Sequence, residues 1–129
     1  MPAGQFERLR DVASRHGGLR LLVLHGSRAR GDHRGQSDWD FGYLGDPGFD
    51  PDGLRADLVH ETGSDDVDLA DLARASGQLR YRAAADARVL LEREPDAFAS
   101  FWFDAVSYWC DMQDVLRTEY DATLARLPS

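Results

Sequence analysis

Apolar residues first recur at Phe6, Leu9, Val12 and Ala13, the three-and-four spacing that turns one helix face toward a core, and this predicts a helix over 5–15 stopped by His16-Gly17-Gly18. Leu19 to His25 is a short, nearly unbroken aliphatic run, as a buried strand requires, and it runs straight into Gly26-Ser27, a turn and helix-start signal. A polar loop over 32–37 follows, and Asp38 to Leu44 then alternates polar with apolar at the strand period of two. Gly45-Asp46-Pro47-Gly48 is a turn, and 51–61 carries Leu54, Leu58 and Val59 on one helical face. Asp66 to Ala70 alternates acid with aliphatic as a third strand. A helix over 78–85, a short strand over 88–91 and a long helix over 95–126 complete the order α-β-α-β-α-β-α-β-α. That order predicts a small α/β (α+β) fold, a mixed sheet of about four strands flanked by helices.

The chain has 129 residues, and one domain over 1–129 is expected, with no room for a second substrate-binding domain. With 43% hydrophobic and 29% charged residues it reads as a water-soluble globule. Its longest aliphatic run, Leu21 to Leu24, is far below the roughly 20 residues of a membrane span. The first ten residues lack a basic stretch followed by an apolar one, and Cys110 has no partner for a disulfide, so a reduced, cytoplasmic protein is expected. A net charge of -8 argues against general affinity for nucleic acid, because phosphate backbones are held by excess positive charge. All 15 basic residues are arginine, a bias of the kind a GC-rich genome imposes.

The chemistry concentrates in Gly26-Ser27-Arg28-Ala29-Arg30-Gly31 and, after the loop, Ser37-Asp38-Trp39-Asp40. A glycine after a strand lets backbone approach a phosphate closely, a helix start offers unpaired N–H groups, and the Ser27 hydroxyl adds a donor. Asp38 and Asp40, two apart on a strand, point to one face as a pair of hard oxygen ligands suited to Mg²⁺. Two like charges held together are unfavourable without a cation. Asp68 on the third strand is placed to join them while Val67 and Leu69 pack inward, and Asp66 and Asp71 are expected as solvated or edge charges. Three carboxylates, Mg²⁺ and a phosphate-cradling turn describe a phosphoryl- or nucleotidyl-transfer centre.

These motifs, with Asp66-Val67-Asp68-Leu69-Ala70-Asp71-Leu72, resemble the minimal nucleotidyltransferases of the DNA polymerase beta superfamily, and most closely the MNT antitoxins encoded beside HEPN toxins. The resemblance covers roughly residues 20–91 and implies the nucleotidyltransferase fold, with a C-terminal helical segment over 95–127. It implies that Gly26 and Ser27 hold the triphosphate of ATP, that Asp38 and Asp40 bind Mg²⁺, and that Asp68 is the third carboxylate beside the attacking hydroxyl. Arg30 is carried over as a further phosphate contact, and Arg28 more weakly. The reaction implied is transfer of AMP from Mg·ATP to a tyrosine of a cognate HEPN toxin, which silences it. Trp39 and Phe41 depart from the family's smaller aliphatics, and His25 stands before the glycine where an aromatic is frequent. Two other readings remain open: a small-molecule nucleotidyltransferase of the aminoglycoside-modifying kind, which usually carries a further helical domain, and an antitoxin that binds without turnover.

His16, His25, His33 and His60 show no metal-ligand spacing and read as structural or exposed. In the last helix Phe98, Phe101, Trp102 and Trp109 fall broadly on one face for packing, whereas Phe103 and Tyr108 point elsewhere and suggest a protein contact, with the toxin or with a second copy in a homo-oligomer. Cys110 is expected as a small buried hydrophobe.

Overall fold

The computed structural model describes residues 4–32 and 38–127. The elements follow the predicted order: α1 (Gln5–Ser14), β1 (Leu19–His25), α2 (Ser27–Arg30), β2 (Trp39–Gly45), α3 (Pro51–Thr62), β3 (Val67–Asp71), α4 (Gly77–Asp86), β4 (Arg88–Glu92) and α5 (Ala97–Arg126). The expected loop falls mostly at 33–37, which with His33 and Ser37 lies outside the described residues. α3 begins where Pro51 and a capping carboxylate place it, the Asp50 side chain accepting from Gly53 N–H at 3.2 Å. α5 begins two residues later than Pro95, because Asp96 takes a left-handed turn (φ 65°) before the helix can propagate.

The strands form one sheet in the order β3-β2-β1-β4, with β2 and β3 parallel and the other pairs antiparallel. Strand alternation then sorts the apolar residues to two sides. Leu22, Leu24, Trp39, Phe41, Tyr43 and Val67 are buried beneath α1 and α3. Leu21, Val23 and Leu72 are buried on the opposite side with Ala83 and Ala84 of α4 and Phe101 and Ala105 of α5. Gly42 leaves the room that Leu72 fills, since a Cβ there would meet its side chain at 2.8 Å. The wide aromatics of β2 fit because they stack on each other, the Trp39 and Phe41 rings lying 6.1 Å apart and nearly parallel. Phe41 is wholly buried, so Phe41→Ala is expected to cost about 3–5 kcal/mol, read as a lower urea midpoint at unchanged slope; a loss below about 1 kcal/mol would contradict the packing described.

Among the described residues no helix is long and apolar enough to cross a membrane, α5 included. Its aromatics divide differently from expectation: Phe101 is buried and Phe98 and Trp109 are partly covered, but Trp102 is exposed along with Phe103 and Tyr108. Cys110 is exposed as well, contrary to expectation, because it lies about 180° around the helix from Phe101.

Candidate active site

The strand register gathers the acidic residues. His25 of β1 is paired with Asp40 of β2, and Asp40 in turn with Asp68 of β3. Residues directly opposite each other in a sheet share a face, so His25, Asp40 and Asp68 form a row across three neighbouring strands, on the side that carries α4 and α5. Asp38 precedes β2 by one residue and is exposed, as is Asp68, whereas Asp40 is half-buried between them. Asp66 is exposed, and its carbonyl accepts from Trp39 N–H at 2.8 Å, closing the start of the parallel pair.

The turn after β1 is fitted against Asp40. Gly26 has φ 75° and ψ -160°, a conformation almost confined to glycine, and a Cβ on it would lie 2.5 Å from Asp40 Oδ2. Ser27 opens α2, which is four residues long, so an anion there would meet local N–H groups and the Ser27 hydroxyl more than a helix dipole. The guanidinium of Arg28 lies 4.1 Å over the Trp39 ring. Arg30 donates to Asp86 Oδ2 at 2.7 Å and to Asp32 Oδ2 at 3.1 Å, and Arg88 donates to the Ala29 carbonyl at 2.8 Å, tying α2 to α4 and β4. The expected phosphate ligand Arg30 is thus engaged with two carboxylates at the rim of the site.

Burial pushes the Asp40 carboxyl above its ordinary range, and the negative charges of Asp68 and Asp38 push the same way. This is the unrelieved repulsion that a cation would quench. His25, 7% exposed, has a buried Nε2 with no hydrogen-bond partner. Burial holds its imidazole below the usual range despite the pull of Asp40 and Asp86, so a neutral ring backs the carboxylates. The sequence signals the place of His25 only by its position at the end of the strand that runs into Gly26-Ser27. Among the described residues no three His, Cys, Asp or Glu side chains close around a common point, so the aspartates are brought to one rim without being clenched. All-oxygen donors and their mutual repulsion suit a hard divalent cation.

The family described as polymerase beta nucleotidyltransferase matches residues 7–96. A protein adenylyltransferase, MntA, of Aphanizomenon flos-aquae is 32% identical over 96 residues, 64% of this chain and 63% of that relative, so the match spans under two thirds of the relative's length. Two solved structures share the fold. One, a toxin-antitoxin with AMP-PNP, is 23% identical with a TM-score of 0.71 over 96% of this chain and 99% of its own. The other, from a complex of a tri-AMPylated Shewanella oneidensis HEPN toxin with an MNT antitoxin, is 21% identical with a TM-score of 0.67, covering 93% of this chain and 97% of its own.

Proposed function

Because the chain belongs to the polymerase beta nucleotidyltransferase family, we propose that it is a protein adenylyltransferase that moves AMP from Mg·ATP onto a tyrosine hydroxyl of a HEPN-family toxin and so acts as its antitoxin. The observation that carries this reading is the row of Asp40 and Asp68 on paired strands, with Asp38 beside them and Gly26 fitted against Asp40. The name of the MntA relative and the AMP-PNP and AMPylated-toxin structures support the choice of nucleotide and of acceptor class.

In this reading Gly26 N–H and the Ser27 hydroxyl bind the β- and γ-phosphates. Asp38 and Asp40, with Asp68, would hold Mg²⁺, which supplies positive charge to the triphosphate when bound. Asp68, exposed at the rim, orients the acceptor hydroxyl and accepts its proton on a carboxylate oxygen. The acceptor oxygen forms a bond to the α-phosphorus as the bond between that phosphorus and the bridging oxygen to the β-phosphate breaks, and pyrophosphate leaves. His25, neutral and buried, supports Asp40 from the next strand without adding charge. The Arg30–Asp86 pair ties the turn to α4, with Arg30 Nε and Nη1 engaged by Asp32 and Asp86.

The direct test is incubation with ATP labelled in the α-phosphate, Mg²⁺ and the HEPN-family protein of the same genome, followed by mass spectrometry of the acceptor. The expected result is a mass gain of AMP on tyrosine. Label on no protein, but on an aminoglycoside, would replace this reading with the small-molecule one. ATP affinity is a second expectation. With Asp38 and Asp68 exposed, the site offers one wall, and tight small-molecule sites bury most of their ligand. Calorimetry is expected to show metal-free ATP binding no tighter than about the millimolar range, strengthened at least about tenfold by Mg²⁺; sub-micromolar affinity without metal would contradict it.

A further inference from the structure

The apolar stripe of α5 does not stop where the body of the protein stops. At 100° per residue Phe101, Ala105, Trp109, Met112, Leu116 and Tyr120 fall within one 100° sector of the helix. The first part of this stripe is covered. Phe101 and Ala105 are buried against α4 and the sheet, and the Trp109 ring stacks on Tyr81 of α4 at 5.4 Å. From Cys110 to Tyr120 every residue except the half-buried Met112 is exposed, with Leu116 at 53% and Tyr120 at 65%. Carried on to the end of α5 at Arg126, the helix projects by about 25 Å beyond its support. A packing face carried past its packing partner is the mark of a surface completed by another molecule.

Charge and area select the occupant. Between Asp104 and Arg126 the helix carries five acids (Asp104, Asp111, Asp114, Glu119, Asp121) against two arginines. Asp104 and Asp111 lie on one flank of the stripe, and Glu119 stands at its edge on that side. A second copy would bring the same acidic flank and another net charge of -8 against this one, and one helix laid along 25 Å of another buries well under the roughly 800 Å² per partner of a stable interface. A groove between two helices, apolar on its floor and lined with Arg or Lys, meets both requirements. We propose that the projecting half of α5, through Leu116 and Tyr120, docks into such a basic-rimmed helical groove on the HEPN-family partner, and that it holds the complex together independently of the aspartate site. The inference rests on the proposed function for the identity of the partner.

The test compares wild type, the double variant Leu116→Glu/Tyr120→Glu and Phe103→Ser, which is 64% exposed but lies off the stripe. The binding probe is the HEPN-family protein of the same genome, measured by biolayer interferometry at low and high salt, with light scattering of each variant alone. Expected are a monomeric wild type, partner affinity lowered about a hundredfold in the double variant and further by salt, and little change for Phe103→Ser. Thermal midpoints should match, since neither altered side chain of the double variant is buried. Equal affinity of the double variant and wild type would overturn the docking surface while leaving the adenylyltransferase reading intact. A dimeric wild type made monomeric by the double change would assign the stripe to a second copy and overturn it too. Absence of binding by wild type also overturns it; AMP transfer to the partner, measured on the same samples, then decides separately whether the activity stands.

Discussion

Asp38→Asn and Asp40→Asn are each expected to reduce AMP transfer by at least about a thousandfold, since each removes one of the carboxylates proposed to position the charge that offsets the triphosphate, worth several kcal/mol in the transition state. The two variants should part company in stability. Asp40 is half-buried and its carboxyl is raised above the ordinary value of 3.8, first by burial and then by Asp68 and Asp38. A carboxyl raised on folding favours the fold below its unfolded pKa, and that contribution is lost as pH climbs through the folded value. At neutral pH wild type therefore carries the cost of an ionised Asp40 that Asp40→Asn does not, and the variant is expected to be the more stable. The difference should close as pH falls toward 3.8. Mg²⁺ should raise the melting temperature of wild type and leave that of Asp40→Asn unmoved. Transfer by either variant at near the wild-type rate, or equal Mg²⁺ stabilisation of both proteins, would show that the cation is held elsewhere.

The parts of the candidate site that are legible in the sequence are the local ones. Strand alternation alone places Val67 and Leu69 on the core side of β3 and Asp68 on the other. What could not be read was the lateral register. That His25 would stand beside Asp40, and Asp40 beside Asp68, depends on which strands neighbour β2 and where each pairing begins, a tertiary outcome of the sheet order β3-β2-β1-β4. Arg30 illustrates the same gap, since its partner Asp86 is distant in sequence and is brought near by α4. The exposure of Trp102 and Cys110 also escaped the sequence. Amphipathic spacing tells which residues share a face but not how far along α5 the covering elements extend.

Gly26→Ala is expected to impair fold and chemistry together, and Gly31→Ala serves as its control. Both glycines have positive φ, 75° at Gly26 and 81° at Gly31, but they differ in ψ and in surroundings. Gly31 sits in the ordinary left-handed region with nothing within 4 Å of an added Cβ, so alanine there costs about 1–2 kcal/mol of backbone preference and disturbs no neighbour. At Gly26, ψ of -160° lies in a region nearly closed to side chains, at a cost of about 1–3 kcal/mol, and the new methyl would stand 2.5 Å from Asp40 Oδ2 and 3.3 Å from its Cγ. Either the turn lifts away from the strand or the carboxylate rotates out of the row with Asp68, and both outcomes separate the phosphate-binding turn from the acidic face. The expected result is a lower melting temperature for both variants. Transfer should fall more than about a hundredfold in Gly26→Ala alone, because misplacement of about 1 Å at a reacting centre is that costly. Near-normal transfer by folded Gly26→Ala would mean that the close approach of Gly26 to Asp40 has no part in catalysis, and that the turn binds phosphate from another position.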